Sequence, residues 1–167
     1  MQKEKEILKN SFKECEKHKA IITYSLKKLK KILPLDASKY QKLTKNQKLT
    51  LDSLLFRFAK LQDTLGNKII RNALKILAED IENLSFIDIL NKAEKIGLID
   101  NVDKWLELRY IRNEISHEYE EDYRILAEKL NNFFEAVTLL LKTYENIKKF
   151  CDTKIFGYSF KRKNVNK

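Results

Sequence analysis

Residues 3–33 read KEKEILKNSFKECEKHKAIITYSLKKLKKIL, and this stretch decides the fold class. Leu8, Cys15, Ile22 and Leu29 recur every seven residues, and Phe12, Leu26 and Leu33 fill companion positions in a row that Lys19 breaks. A seven-residue apolar repeat with a companion row is the buried stripe of an amphipathic helix. The pattern predicts one long helix across the stretch. Pro34 ends it, because the residue before a proline is pushed out of the helical region.

The helical period returns downstream. Residues 34–45 read as a polar connection, after which Thr44 or Asn46 can cap a second helix carrying Leu51, Leu54, Leu55, Phe58, Leu61 and Leu65. Gly66 predicts a kink or short break, and Ile69, Ile70, Ala73, Leu74, Leu77 and Ile81 resume the period. Ser85 precedes a short helix stopped by Gly97. Asp100 is the candidate cap of a helix whose inward stripe is Trp105, Leu108, Ile111 and Ile115. A last long helix is expected from about Asp122 to Phe150, with Leu126, Leu130, Phe133, Phe134, Val137, Leu140, Leu141 and Tyr144 facing inward. With three glycines and one proline the chain lacks the turn residues an antiparallel sheet needs. The expectation is an all-α, up-and-down bundle of four to five main helices over residues 1–150, followed by a basic and aromatic tail over residues 151–167. The tail carries Phe156, Tyr158, Phe160 and the cluster Lys161-Arg162-Lys163.

Composition bounds the function classes. The chain has 34 Lys and Arg against 24 Asp and Glu, a net charge of +10. Such a surface attracts polyanions, although runs such as Glu4, Lys5 and Glu6 also fit plain solvated helix faces. Cys15 and Cys151 make neither a disulfide framework nor a metal cluster. The N-terminal MQKEKEILKNSF has no apolar signal region, and no run is long enough to span a membrane, so a soluble, cytoplasmic protein is expected. There is no phosphate-binding glycine loop and no serine-hydrolase elbow. Glu79, Asp80 and Glu82 read as helix-surface charge, and His18, between Lys17 and Lys19, as a solvated or half-buried surface residue and not a metal ligand.

The chemistry is concentrated in residues 112–119, Arg-Asn-Glu-Ile-Ser-His-Glu-Tyr. RNA cleavage can use the substrate's own 2′-hydroxyl as nucleophile. It then needs a base for that proton and a cation for the charge developing on phosphorus. His117 titrates near neutrality and suits the first task; Arg112 stays charged and grips phosphate with two donors. Asn113 and His117 are four apart and share a helix face, so the amide can orient the imidazole. Arg112 and His117 are five apart and fall on different faces of a regular helix. Either the helix frays near Ser116, or the arginine wraps round, or a second subunit completes the site. Arg109 extends the phosphate-binding surface one turn earlier. The plainer alternative pairs Arg112 with Glu107, Glu114 or Glu118 and leaves His117 and Tyr119 as packing residues.

On a helical bundle, the pattern Arg112–x4–His117–x–Tyr119, with Asn113 directly after the arginine, resembles the motif of HEPN-domain proteins, in particular the HepT-type toxins. The stretch Arg57–Gly66 resembles the second-helix region of that family, and Trp105 and Leu108 leading into the motif fit it too. The resemblance covers roughly residues 5–148. It implies a homodimer in which two motif copies line a shared cleft, and a metal-independent endoribonuclease acting on RNA without a cofactor. It gives His117 the role of general base or acid and Arg112 that of binding the scissile phosphate, with Asn113 and Arg109 in support. It further implies an MNT-type nucleotidyltransferase antitoxin as partner, which adds AMP to Tyr119, in the manner of a type VII-like toxin–antitoxin pair. The other function it implies is a non-catalytic helical partner subunit of a nucleotidyltransferase.

Overall fold

The heptad seam folds as α1, Gln2–Leu29, which tightens into a 3-10 turn at Lys30–Ile32 before Pro34. The computed structural model describes residues 1–77, 79–115 and 122–157, and among these the chain is all-helical, with no strand. The first row of the seam is fully buried: Leu8, Cys15, Ile22 and Leu29 are all 1% exposed or less. In the companion row Phe12 is buried and Leu26 and Leu33 pack against the core from its edge, and a further inward row lies one residue earlier. Ser11, His18 and Ser25 are buried, whereas Leu26 and Leu33 are half-buried. Small serines let a neighbouring backbone come close, and α1 lies along α3, Lys45–Thr64. Lys19, the apparent break, pairs with Glu145 on the far helix.

The polar connection holds a short helix, α2, Ala37–Gln41, started by Asp36, whose side chain accepts from the Lys39 amide at 2.7 Å. Thr44, not Asn46, caps α3. Its hydroxyl accepts from the Gln47 amide at 3.2 Å and the Gln47 side chain accepts from the Thr44 amide at 2.8 Å, a reciprocal capping box. Gly66 does not break the rod. The helix passes through a π turn, Leu65–Ile70, and continues as α4, Arg71–Ile76. It ends before Ile81, which is buried but lies outside the helix.

Ser85 caps α5, Phe86–Lys95, and Gly97 takes a positive φ of 76° just past its end, the conformation a glycine adopts without strain. Helix α6 is Val102–Ile115. Its cap is Asn101, whose side-chain oxygen accepts from the Lys104 amide at 2.9 Å. Asp100 instead accepts from Asn146 at 2.6 Å. Helix α7, Tyr123–Lys154, is capped by the Asp122 carboxylate and runs past residue 150, so that Cys151 belongs to its buried face. Both cysteines are free, and burial pushes both thiols up to about 12.

Helix α7 draws the pieces together. It packs on α6, on α2 and on α3. Phe58 and Phe133 meet edge to face, with ring centroids 5.0 Å apart. The fully buried Tyr144 donates its hydroxyl to Glu16 of α1, which also accepts from Lys148 at 3.1 Å. Asn131 bonds both backbone groups of Leu35, accepting at 2.8 Å and donating at 2.9 Å, and so fixes the chain between α1 and α2. Each large apolar side chain buried in this core contributes roughly 1.5–3 kcal/mol. No helix among the described residues is long and apolar enough to cross a membrane.

Candidate functional site

Three elements meet around a cleft of about 360 Å³, lined by Gln62, Asp63, Gly66, Asn67, Arg71, Phe86, Trp105, Arg109, Arg112 and Asn113. Each wall has a sequence reason. On the α3–α4 rod, Asp63, Asn67 and Arg71 follow one another at four-residue intervals, and so face one side. Gly66 allows α6 to approach, since a Cβ there would stand 3.1 Å from Trp105 Cζ2 and 3.2 Å from Phe86 Cζ. The Ser85 cap, accepting from the Asp88 amide at 3.2 Å, makes Phe86 the first residue of α5. On α6, buried Trp105 anchors a stripe that continues through Arg109, Arg112 and Asn113. A second tie holds the start of α6, where the Val102 amide donates to Glu94 at 2.6 Å.

The expected residues Arg109, Arg112 and Asn113 are thus brought together. His117 and Tyr119, and Glu118 with them, lie outside the described residues, as do Tyr158, Phe160 and the basic cluster of the tail. Arg112 donates to Asp63 across the cleft at 2.7 Å. Of the same-helix partners weighed from sequence, Glu114 faces Lys129 of α7 at 3.9 Å. The Arg112–Asp63 pair is half-exposed and adds on the order of 1 kcal/mol or less to stability. Its main effect is to hold the guanidinium in place. Arg71 and Arg109 form no ion pair among the described residues; both guanidinium carbons stand 5.8 Å from the centroid of the Phe86 ring. Three arginines and one carboxylate give this cleft a net positive lining, which favours an anion.

Gln62, Asp63, Arg71 and Phe86 were not expected in the site from their own chemistry, because they reach it only through the tertiary fold. For Gln62 a signal existed. It sits four residues after Phe58, on the apolar face of α3, where a polar side chain needs a reason. It is 4% exposed, and neither its amide nitrogen nor its oxygen has a hydrogen-bond partner among the described residues.

His18 is buried, not solvated, and away from this cleft. Its Nδ1 is 3.1 Å from Arg57 Nη1 and its Nε2 is 3.8 Å from Glu14. Glu79 pairs with Lys92 at 3.2 Å, and Asp80 accepts from the Glu82 amide in a turn. Among the described residues no group of three or more His, Cys, Asp or Glu is placed to hold a metal ion. Comparison with family models, with curated proteins and with solved structures returns no match to this chain.

Proposed function

We propose that the protein is a metal-independent endoribonuclease toxin of the HEPN kind, an up-and-down bundle of four to five main helices that works as a homodimer. The observation that supports it is the cleft in which Arg71, Arg109 and Arg112 converge with Asn113, at the end of the helix that leads into His117. In the proposed reaction the substrate 2′-hydroxyl attacks the adjacent phosphorus. Its proton passes to a histidine, the P–O5′ bond breaks, and the leaving oxygen is protonated. His117 moves the protons; Arg112, exchanging Asp63 for a phosphate oxygen, carries the developing charge. That exchange is easy, because a half-exposed ion pair is weak and a bidentate arginine–phosphate contact is stronger. Tyr119 is the proposed acceptor of AMP from a partner nucleotidyltransferase, where added negative charge would oppose phosphate binding.

The test is cleavage of single-stranded RNA by the purified protein in the presence of a chelator. Wild type is expected to cut and to leave cyclic-phosphate ends. Arg112→Ala and His117→Ala are each expected to lower the rate by roughly a hundredfold or more. Equal rates in the variants would remove the catalytic assignment. RNA left intact by a protein that binds a nucleotidyltransferase tightly would establish the partner-subunit role instead. An AMP-sized mass gain lost in Tyr119→Phe would place the modification.

A further inference from the structure

Three of the most exposed apolar side chains stand together, away from the arginine cleft. Tyr24 of α1 is 61% exposed, and Leu49 and Phe56 of α3 are 56% and 54% exposed. The two helices run side by side in opposite directions, since Thr64 bonds Glu14 while Arg57 bonds His18. Between them Ile21, Tyr24, Lys28, Leu49 and Ser53 line an open groove of about 580 Å³. Leu49 and Phe56 are two helical turns apart on α3 and so point the same way. Both rings carry cations. Lys28 Nζ stands 5.4 Å from the Tyr24 ring centroid, and Lys60 Nζ and the Arg57 guanidinium carbon stand 5.5 and 5.6 Å from that of Phe56. Lys17, two turns before Tyr24, adds another exposed amine. Nearby Glu14 is held by Lys68 and Asp63 by Arg112, so Asp52 is the one exposed carboxylate on this stretch of α3 without such a partner among the described residues.

The charge selects what can cover this face. A second copy of the chain would set lysine against lysine, which like-charge repulsion opposes. A polyanion neutralises the lysines, and flat bases stack on exposed rings whatever their sequence. The stripe also leads to the cleft. On the α3–α4 rod Phe56 is followed by Lys60, Asp63, Asn67 and Arg71 at intervals of three or four residues, and the last three line the cleft. The helix rises about 10 Å from Phe56 to Asp63, which is about three nucleotides at the ~3.4 Å spacing of a stacked strand. We propose that this face is a docking track for single-stranded RNA. Tyr24 and Phe56 stack bases, Lys17, Lys28 and Lys60 hold phosphates, and the strand runs on along the rod into the cleft. The role rests on the reading of the protein as a ribonuclease, and it assigns the grip on longer strands to a surface outside the reacting site.

The experiment follows the anisotropy of labelled RNA oligomers of about 4 and about 16 nucleotides, the range of single-strand site sizes. It compares the full-length wild type with two double variants, Tyr24→Ala with Phe56→Ala and Lys28→Gln with Lys60→Gln, and uses polyglutamate as a competitor that lacks bases. Wild type is expected to bind the longer oligomer at least tenfold more tightly than the shorter one. The aromatic variant should lose roughly tenfold on the longer oligomer and nothing on the shorter. The lysine variant should make the salt slope of the longer oligomer shallower by about 1.4. All four side chains are exposed, so both variants should melt like the wild type. Equal affinity for the two lengths overturns the proposal, as does an aromatic variant that binds the longer oligomer like the wild type. Polyglutamate that competes as well as unlabelled RNA also overturns it and gives the face to an acidic protein. Cleavage of the same oligomers keeps the two proposals apart. Length-dependent binding that needs the rings, without cleavage, removes the nuclease and leaves the track. Cleavage with equal affinity for both lengths removes the track and leaves the nuclease.

Discussion

His18 illustrates how a residue between two lysines comes to be buried. It lies three residues after Cys15 and four before Ile22, on the inward face of α1, while Lys17 points out. Its lysine neighbours point to a solvated or half-buried surface position, whereas the helical period places it inside. Burial first, and the Arg57 charge second, hold its pKa below the ordinary 6.5. The unfolded chain therefore takes up a proton at higher pH than the folded one. Stability from this group is present above about pH 6.5 and is lost as pH falls below it. Glu14, held low chiefly by the Lys68 hydrogen bond, and Glu16, held low chiefly by Tyr144, act in the same direction but below their ordinary 4.5. Between pH 7 and 5 the melting temperature is expected to fall, and His18→Gln should flatten that fall. A slope unchanged by the substitution would show that other groups carry the acid sensitivity.

At the scale of elements, the π turn Leu65–Ile70 decides whether α3–α4 and α6 can share a cleft, and Gly66 is its critical residue. Two effects of Gly66→Ala oppose each other. Alanine in place of glycine in a helix interior stabilises by roughly 0.5–1 kcal/mol. The new methyl, however, would press on Trp105 Cζ2 at 3.1 Å and Phe86 Cζ at 3.2 Å. Half-buried Phe86 can yield, but Trp105 is only 3% exposed, and overpacking a closed site costs about 1–3 kcal/mol. The clash should win. Gly66→Ala is expected to destabilise by roughly 1 kcal/mol, lowering the melting temperature by a few degrees, and to change the emission of Trp105. A rise in melting temperature would mean that the rings move aside freely. The sequence made the rod's two halves and the Thr44 and Ser85 caps legible, because period and capping are local signals. It did not reveal that the helix would pass through Gly66, since a glycine in the apolar rhythm reads as a break, whereas here the chain continues through a π turn with Trp105 and Phe86 close beside it. The end of α4 before Ile81 was missed for a related reason. Ile81 is buried, so it kept the apolar rhythm although it had left the helix.

At the scale of the whole molecule the question is what the net charge of +10 does. Lys19, Lys68, Lys92 and Lys148 are paired with carboxylates and cancel in that sum, so the excess lies on other side chains. The α6 half of the cleft, Arg109, Arg112 and Asn113, was legible because one helix carries it in one short run. The α3–α4 half was not, because Asp63 and Arg71 come from residues far away in sequence and show their purpose only once the rod lies beside α6. Charge spread over the surface and charge focused in the cleft make different predictions for RNA. For single strands, log affinity falls with log salt with a slope of about −0.7 per phosphate neutralised. If Arg71, Arg109 and Arg112 are the contacts, the slope should be about −2 per protomer, and the double substitution Arg71→Gln with Arg109→Gln should make it shallower by about 1.4. Binding of a short single-stranded RNA measured from low to high salt gives both slopes. A double variant with an unchanged slope would move the contacts to the scattered lysines. A slope that loses the expected amount would place RNA binding in the cleft.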